Sequence, residues 1–309
     1  MTDKTIAVYN TLRNVKMRFK KPVPVKSVSI ECSSVCNSRC MVCPRDYMSR
    51  DKKTMGMDLF KFIIKRCIGE GIKDINLGGY GEPLIDPGFK EKVEYLIKND
   101  LRPFGLTTNS SLLNDELNKT LLKFNTVAFS INGITKDTYE KIHRGMNREK
   151  TYANVEKFLT IRDKTKIVLN YTIFEDNYSE KDEFISYWRS KLKKGDEIAF
   201  LYAHNWGNRV SLKPSPDAVE NKHKCACGRL WGTNVFISVD GDYVLCCMDF
   251  NTIVKLGNVK DLSINDAWYG NNMQQIRRWH TEGKFDKIEP CQSCSWNYLV
   301  KQEYNVIKI

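Results

Sequence analysis

No stretch of this 309-residue chain approaches the ~18 consecutive apolar residues of a membrane-spanning helix. The opening stretch MTDKTIAVYNTLRNVKMRFKK also lacks the apolar core of a secretory signal peptide. There is no low-complexity segment, and no arginine-rich tract or interleaved row of aromatic residues suggests a nucleic-acid partner. We therefore expect a cytoplasmic protein with no membrane partner and no clear nucleic-acid partner.

Acidic residues are the minority among the charged side chains. The chain has 37 Asp and Glu against 49 Lys and Arg, which gives a net charge of +12. An excess of this kind is typical of a lysine-rich, solvated helix surface. The alternative is attraction of an anionic partner, such as a phosphorylated metabolite or an acidic peptide.

Cysteine, by contrast, is abundant. The chain contains eleven cysteines, an odd number, and several of them are clustered. In a reducing compartment, clustered thiols are more often metal ligands than partners in disulfides. We therefore expect metal sites rather than a disulfide framework.

Short β-branched or apolar runs alternate with helical patterns through the first two thirds of the chain. Because buried parallel strands are joined by crossover helices, six such units predict an α/β fold, either a barrel or an open curved sheet. The active site of such a fold lies at the carboxyl ends of its strands. The predicted strands are 27–32, 74–79, 103–109, 126–132, 167–174 and 197–204, and the predicted helices are Asp58–Glu70, Phe89–Asn99, Asp115–Phe124, Tyr152–Arg162 and Glu180–Leu192.

The alternation stops near residue 208. The stretch KPSPD is typical of a linker, and VFISVDGDYVLCC predicts a β-hairpin with Asp240-Gly241 at a turn that requires positive φ. Two short helices and the sequence CQSC follow. We therefore divide the chain into an N-terminal extension (1–24), an α/β domain (25–212) and a small cysteine-rich module (213–309).

Three cysteines in the loop after the first predicted strand have the spacing C-x3-C-x2-C: Cys36, Cys40 and Cys43. Three thiolates in one loop can hold three irons of a cubane [4Fe–4S] cluster and leave the fourth iron open to a non-protein ligand. Adding Cys32 would supply four sulfurs, which could instead form a tetrahedral zinc site. Spacing alone leaves both alternatives open.

The stretch CNSRCMVC after the first strand, together with GGYGEP after the second, resembles the radical S-adenosylmethionine (SAM) superfamily. The resemblance covers roughly residues 25–205 and implies a partial (β/α)6 barrel. It implies that Cys36, Cys40 and Cys43 hold a [4Fe–4S] cluster whose open iron binds SAM. Reductive cleavage of SAM would then give a 5′-deoxyadenosyl radical, with the electron coming from a flavodoxin- or ferredoxin-type donor.

The same resemblance implies a set of residues that bind SAM. Glycines let the backbone approach a ligand, and a carboxylate beside an ammonium gives a charge-assisted hydrogen bond. Val42 is expected beside the adenine, and the other positions lie at strand ends or within a strand. The expected SAM-binding residues are Val42, Gly79, Gly81, Glu82, Asn109, Ser130 and Asn170.

The distant cysteines occur in the order CGRLW, DGDYVLCC and CQSC, which resembles the SPASM and shortened "twitch" auxiliary-cluster domains of radical SAM enzymes. A zinc ribbon is the alternative. The resemblance implies a single auxiliary [4Fe–4S] cluster, because the cysteines of a second one are missing. Its expected ligands are Cys227, Cys246, Cys291 and Cys294, whereas Cys225 and Cys247 remain unassigned.

An enzyme of this kind is expected to oxidise a small polar substrate, such as an aminosugar, a cyclitol or a phosphorylated compound, with the auxiliary cluster accepting an electron. The alternative is a peptide-modifying enzyme that epimerises a residue or forms a crosslink. An N-terminal peptide-recognition domain is not expected, because only about 25 residues precede the first strand. A non-enzymatic iron–sulfur or zinc protein is the third class.

Candidates for contact with the substrate or for catalysis are His204, Arg209 and Cys247.

Overall fold

The computed structural model describes residues 3–218, 224–295 and 305–309. In these residues one mixed sheet has nine strands in the spatial order β8-β7-β1-β2-β3-β4-β5-β6-β9. The strands are β1 Ser27–Ile30, β2 Asp74–Leu77, β3 Arg102–Thr108, β4 Thr126–Ser130, β5 Lys166–Ile173, β6 Glu197–Tyr202, β7 Asn234–Ile237, β8 Tyr243–Val244 and β9 Asn305–Lys308.

Helices connect the six parallel strands β1 to β6, as the alternating sequence pattern predicts. In the described residues these strands do not close on themselves, since β1 pairs with β2 and β7, and β6 pairs with β5 and β9. The predicted partial (β/α)6 barrel is therefore confirmed. The helices are α1 Asp3–Phe19, α2 Met57–Gly69, α3 Phe89–Lys98, α4 Asp115–Leu121, α5 Lys136–Ile142, α6 Arg148–Ile161, α7 Lys181–Arg189, α8 Ile264–Tyr269, α9 Asn271–Thr281 and α10 Glu289–Gln292.

Strands β1, β2 and β5 alternate in burial, although the sequence pattern predicts continuous apolar runs, whereas β4 and β6 each have three consecutive buried residues. In β5, Ile167, Leu169 and Tyr171 are buried on the face that packs against the helices. The opposite face of β5 is only half-buried. Further along the sheet, residues of β1 to β4 and β7, among them Ser29 and Asn76, line a cavity of about 470 Å³. The open sheet therefore leaves an inner face of mixed polarity on which a ligand can lie.

The C-terminal hairpin continues the same sheet. Strand β7 pairs in parallel with β1, with Ser27 opposite Asn234, and turns into β8 through Gly241 at φ +86°. Helix α1 also contacts this segment, because the Arg13 side chain donates to the Ala226 carbonyl at 3.1 Å. The boundaries at residues 24/25 and 212/213 stay predictions, and the shared sheet shows that the parts they separate are packed together.

None of the helices in the described residues is both long enough and apolar enough to cross a lipid bilayer.

Candidate active site

The loop after β1 is held by backbone hydrogen bonds from two directions. Met55 donates its N–H to the Cys32 carbonyl at 2.8 Å, and Met41 donates to the Ile142 carbonyl, at the end of α5, at 2.9 Å. Cys43 donates to the Cys40 carbonyl at 3.1 Å, which closes a turn between two of the cysteines. The loop is therefore a fixed turn at the carboxyl end of β1, where the sequence pattern places the active site.

The thiols of Cys36, Cys40 and Cys43 form one group in this loop. Burial, with a smaller contribution from the nearby Cys43 and Cys36 sulfurs, raises the pKa of Cys40 to about 12. Burial likewise raises the pKa of Cys43 to about 11. Buried thiols that repel one another as thiolates need a cationic partner to ionise, and iron supplies one. The donor set therefore fits the predicted cluster.

Cys32 is not part of this group of thiols. Its side chain is fully buried in the hydrophobic core, and burial raises the pKa of its thiol to about 12. Among the residues that the structure describes, no three His, Cys, Asp or Glu side chains converge closely enough to hold a single metal ion. A cubane spaces its cysteine sulfurs more widely than one ion does, because each sulfur binds a different iron. With Cys32 in the core, the three thiols of the β1 loop match a cubane that has one open iron.

Gly79 and Gly81 bring the loop after β2 against the loop after β1. A Cβ atom at Gly81 would overlap the carbonyl oxygens of Ser33 and Val35, and one at Gly79 would overlap the Glu31 side chain. Their lack of a side chain was predicted to admit a ligand. In the structure, the space that a side chain would fill is occupied by atoms of the segment that follows β1. These glycines therefore let the two loops approach each other closely.

The carboxylate of Glu82 is buried beneath this contact and accepts three hydrogen bonds. Leu84 N–H and the Thr108 hydroxyl donate to Oε1 at 3.2 and 2.6 Å, and Asn109 N–H donates to Oε2 at 2.8 Å. Burial raises the pKa of Glu82 to about 7, although these donors act in the opposite direction. The carboxylate therefore titrates near neutral pH and joins the ends of β2 and β3.

We expect E82Q to bind SAM roughly ten- to a hundredfold more weakly, because a hydrogen bond to a charged group contributes about 1.5–3 kcal/mol. Wild-type affinity should also rise between roughly pH 6 and 7.5 as the carboxylate ionises, and E82Q should lack this rise. Equilibrium titration with SAM measures both. T108V is the matched control, since it removes one donor and keeps the charge. Equal affinity of E82Q and the wild type would show that Glu82 serves only to join the strand ends.

The other predicted SAM-binding residues lie around the same loops. The Asn109 side chain donates to Asn37 Oδ1 at 2.9 Å and accepts from the Ser111 hydroxyl at 2.7 Å, so it joins β3 to the cysteine loop. Ser130 and Asn170 are opposite one another on β4 and β5, both half-buried. Val42 is half-buried within the cysteine loop. Their contacts with SAM stay predictions.

A second group of cysteines forms around one small cavity in the C-terminal segment. Burial, with a smaller contribution from the Cys294 and Cys247 sulfurs, raises the pKa of Cys227 to about 11. Burial and the neighbouring sulfurs of Cys294 and Cys227 also raise the pKa of Cys291. The cysteines that line the cavity are Cys227, Cys246, Cys291 and Cys294, the four predicted ligands.

Cys225 and Cys247 do not line this cavity. Arg229 donates from Nη1 to Cys247 Sγ at 2.8 Å, and the hydroxyl of the half-buried Tyr80 donates to the Cys247 carbonyl at 2.7 Å. Cys247 therefore lies between the cavity and the loop after β2. Sequence reasoning missed Arg229, because its role depends on a residue eighteen positions away.

The loop after β6 spans the two cysteine sites. The Trp206 indole donates to the Val42 carbonyl at 2.8 Å, and Asn205 Nδ2 donates to the Ser293 carbonyl at 2.9 Å. Trp206, Gly207 and Asn208 all have positive φ, at +49°, +68° and +63°. Positive φ at a bulky aromatic residue is strained, and such strain concentrates at functional sites.

Two predicted catalytic candidates lie in this loop in different environments. His204 is half-buried, and burial followed by the Arg229 charge lowers its pKa to about 4, so its imidazole is neutral at pH 7. Arg209 is exposed and lines a cavity of about 320 Å³, together with Trp206, Asp249 and Glu289. The structure thus brings His204 towards Arg229 and Cys247, and places Arg209 at a separate opening.

A buried ion pair that sequence reasoning missed joins these loops. Glu31 accepts from both terminal nitrogens of Arg50, at 2.6 and 2.7 Å, and its side chain is fully buried. Glu31 also accepts from Tyr80 N–H at 3.2 Å and from Val239 N–H at 3.0 Å. Arg50 donates from Nε to the Phe250 carbonyl at 2.7 Å. One carboxylate thus connects β1, the loop after β2 and the C-terminal hairpin.

We expect E31Q to lower the free energy of unfolding by about 3–5 kcal/mol, because it leaves the Arg50 charge buried without its partner. Thermal melting of the cluster-free protein measures the loss. E116Q breaks the exposed ion pair with Lys90 and is the control, for which a nearly unchanged melting temperature is expected. Equal melting of E31Q and the wild type would show that the hydrogen bonds alone hold the loops together.

Two family profiles match the chain. The radical SAM superfamily matches residues 30–187, just over half of the chain, and the SPASM iron–sulfur cluster-binding domain matches residues 225–295. The chain is 29% identical over 193 residues to a GTP 3',8-cyclase of Clostridium perfringens (strain SM101 / Type A), covering 60% of this chain and 57% of that protein. It thus spans little more than half of that relative's length.

Another relative is similar over nearly its whole length. The chain is 24% identical over 283 residues to an S-adenosyl-L-methionine-dependent 2-deoxy-scyllo-inosamine dehydrogenase of Niallia circulans, covering 89% of this chain and 94% of that protein.

Two solved structures have the same fold. BtrN, in complex with AdoMet and 2-DOIA, superposes with a TM-score of 0.59 at 18% identity, covering 91% of this chain and 100% of that one. Streptococcus suis SuiB, bound to precursor peptide SuiA, superposes with a TM-score of 0.67 at 14% identity, covering 95% and 74%. At these identities the likeness shows the fold alone.

The predicted cofactors, SAM with its [4Fe–4S] cluster and an auxiliary iron–sulfur cluster, agree with both matched families. The chain belongs to the radical SAM superfamily and carries a C-terminal SPASM iron–sulfur cluster-binding domain.

Proposed function

We propose that this protein is a radical SAM dehydrogenase that oxidises an alcohol on a small polar substrate, such as an aminocyclitol. The observation that carries the proposal is the cavity lined by Cys227, Cys246, Cys291 and Cys294. Four thiolates occupy every iron of a cubane and leave none open to SAM, so this site suits electron transfer rather than radical generation. The similarity to the dehydrogenase of Niallia circulans over nearly its full length supports the same reaction class.

The proposed ligands divide the chemistry between two sites. Cys36, Cys40 and Cys43 hold the cluster that binds SAM, and the bound pair supplies the carbon radical that takes a hydrogen atom from the substrate. A basic group of this chain would take a proton from the substrate, and a cluster held by Cys227, Cys246, Cys291 and Cys294 would supply the electron acceptor, so the net change is the loss of two hydrogens. An external carrier of flavodoxin or ferredoxin type supplies the electron that cleaves SAM.

His204 is the proposed proton acceptor. Its imidazole is neutral at pH 7, and it lies in the loop that contacts Val42 on one side and Ser293 on the other. Burial and the nearby Arg229 charge keep His204 unprotonated, so its ring is free to accept a proton, and they make it a weak base. His204 does not itself line the cavity of about 320 Å³ beside Arg209, but its ring lies 6.1 Å from that of Trp206, which does. The lining of this cavity has both a cation and carboxylates, which suits a small molecule with hydroxyl and amino groups.

The competing substrate class is a peptide, and the structural likeness to SuiB is the reason to test it. The family assignment favours either enzyme over a non-enzymatic iron–sulfur or zinc protein.

The test uses anaerobically reconstituted full-length protein with SAM, a chemical reductant and 2-deoxy-scyllo-inosamine deuterated at each carbinol carbon in turn. We expect 5′-deoxyadenosine that carries deuterium from one position, and a product two hydrogens lighter. A parallel reaction contains the peptide fraction of a cell extract. A third reaction contains the small-metabolite fraction of the same extract. Deuterium uptake from solvent or a crosslink in a peptide, with no oxidised small molecule in the other two reactions, would overturn the dehydrogenase assignment.

A further inference from the structure

Two buried histidines make equivalent contacts at the two cysteine sites. His143 Nδ1 lies 3.3 Å from Cys40 Sγ, and His280 Nε2 lies 3.3 Å from Cys291 Sγ. His143 is 1% exposed and His280 is fully buried. They are two of the three histidines in the described part of the chain, and neither is accounted for by SAM binding or by proton transfer.

The opposite ring nitrogen of each histidine fixes which nitrogen carries the proton. Asn132 N–H donates to His143 Nε2 at 3.3 Å, and Cys227 N–H donates to His280 Nδ1 at 3.4 Å. A backbone N–H is always a donor, so each of these ring nitrogens must be the unprotonated acceptor. The remaining nitrogen therefore bears hydrogen and donates it to the cysteine sulfur.

Packing holds both rings in this orientation. The His143 ring stacks on Tyr139 with centroids 4.6 Å apart, and the Phe285 ring meets His280 edge-on at 5.1 Å. His143 also follows the last residue of α5 and donates its own N–H to the Tyr139 carbonyl at 2.8 Å. Neither imidazole can rotate away from the sulfur without losing a hydrogen bond and a ring contact.

We propose that His143 and His280 are positioning residues that raise the reduction potentials of the two clusters, each through an N–H···S hydrogen bond to one cysteine ligand. The inference rests on the proposed ligand sets and not on the proposed substrate. A reduced cluster carries more negative charge on its sulfurs, so a donor at sulfur stabilises the reduced form more than the oxidised form. His280 makes the second cluster a better electron acceptor, and His143 makes the first easier to reduce.

His143 donates to sulfur from Nδ1 and His280 from Nε2, so a different amide side chain should restore the donor at each site. The amide of Gln places its N–H near the Nε2 position of a histidine, and the shorter Asn places it near Nδ1. H280Q and H143N should therefore keep the donor to sulfur, whereas H280N and H143Q should lose it. H280L and H143L remove the donor altogether.

The test is an anaerobic redox titration of full-length reconstituted protein without substrate, monitored by electron paramagnetic resonance, with iron and sulfide measured on each sample. H280L should lower the ratio of reduced to oxidised second cluster about tenfold at fixed potential, a shift of about 59 mV for one electron, and leave the first cluster unchanged. H143L should lower the ratio of reduced to oxidised first cluster by a similar factor and leave the second cluster unchanged. H280Q and H143N should restore most of each shift, and H280N and H143Q should not.

Unchanged potentials in both leucine variants, with both clusters present, would overturn the proposal. If the leucine variants fail to bind iron, the Gln and Asn variants at the same position test the proposal instead. Equal reduction potentials in these two variants would also overturn the proposal. Loss of iron in every variant would assign the histidines to cluster assembly instead of tuning. A wild type with one cluster only would contradict the proposed ligand set, and is recognised separately by its iron content.

Discussion

The triple variant C36A/C40A/C43A is expected to lose SAM cleavage completely and to keep one of two clusters. Anaerobically reconstituted wild-type protein should bind about eight irons and eight sulfides, and the triple variant about four of each. The three thiols lie in one loop and influence one another's ionisation, whereas the other cysteine cavity is formed by a distant part of the chain. Removing the first set should therefore leave the second intact.

Iron and sulfide analysis and 5′-deoxyadenosine formation measure this result. C67A is the matched control, because Cys67 is fully buried in the hydrophobic core on α2 and touches neither site. It should retain both clusters and SAM cleavage. Stoichiometric zinc without the absorbance of iron–sulfur clusters in the wild type would refute the assignment of both sites.

C294A is expected to cleave SAM and yet form little oxidised product. Cleavage needs the cluster in the β1 loop and its open iron, while the oxidation needs an acceptor for the electron of the substrate radical. Cys294 lines the cavity of the second site with three other cysteines, and its loss leaves that site with three. C225A is the control, because Cys225 does not line the cavity, and it should keep both activities.

The alternative is that the second cluster only holds the C-terminal segment together, since metal binding can contribute folding free energy directly. C294A would then lose SAM cleavage and thermal stability together. 5′-Deoxyadenosine, oxidised product and melting temperature, measured on one sample, separate the two roles. Full oxidation by protein that demonstrably lacks the second cluster would rule out the acceptor role.

The cysteine loop and the parallel strands could be predicted because each depends on residues that are close together in the chain. Cys36, Cys40 and Cys43 are close in the chain, so their spacing alone limits what they can bind. The strands are short apolar runs bounded by turns, and the six parallel strands were predicted to within a few residues. Helix α5 was missed, because its seven residues carry too few apolar positions to establish a helical period.

The sequence by itself determined the alternating strands and helices, the cysteine loop at the end of β1 and the GGYGEP loop at the end of β2. These features depend on residues near one another in the chain, where spacing and backbone preference decide the structure. Only the tertiary structure decided that Cys225 and Cys247, which the sequence left unassigned, lie outside the cavity lined by the four predicted ligands, and that β7 extends the sheet beside β1. Only it placed Glu31 against Arg50 and the two histidines against sulfur. Those contacts join residues far apart in the chain. They depend on how the strands, helices and loops pack together, and no sequence pattern predicts them.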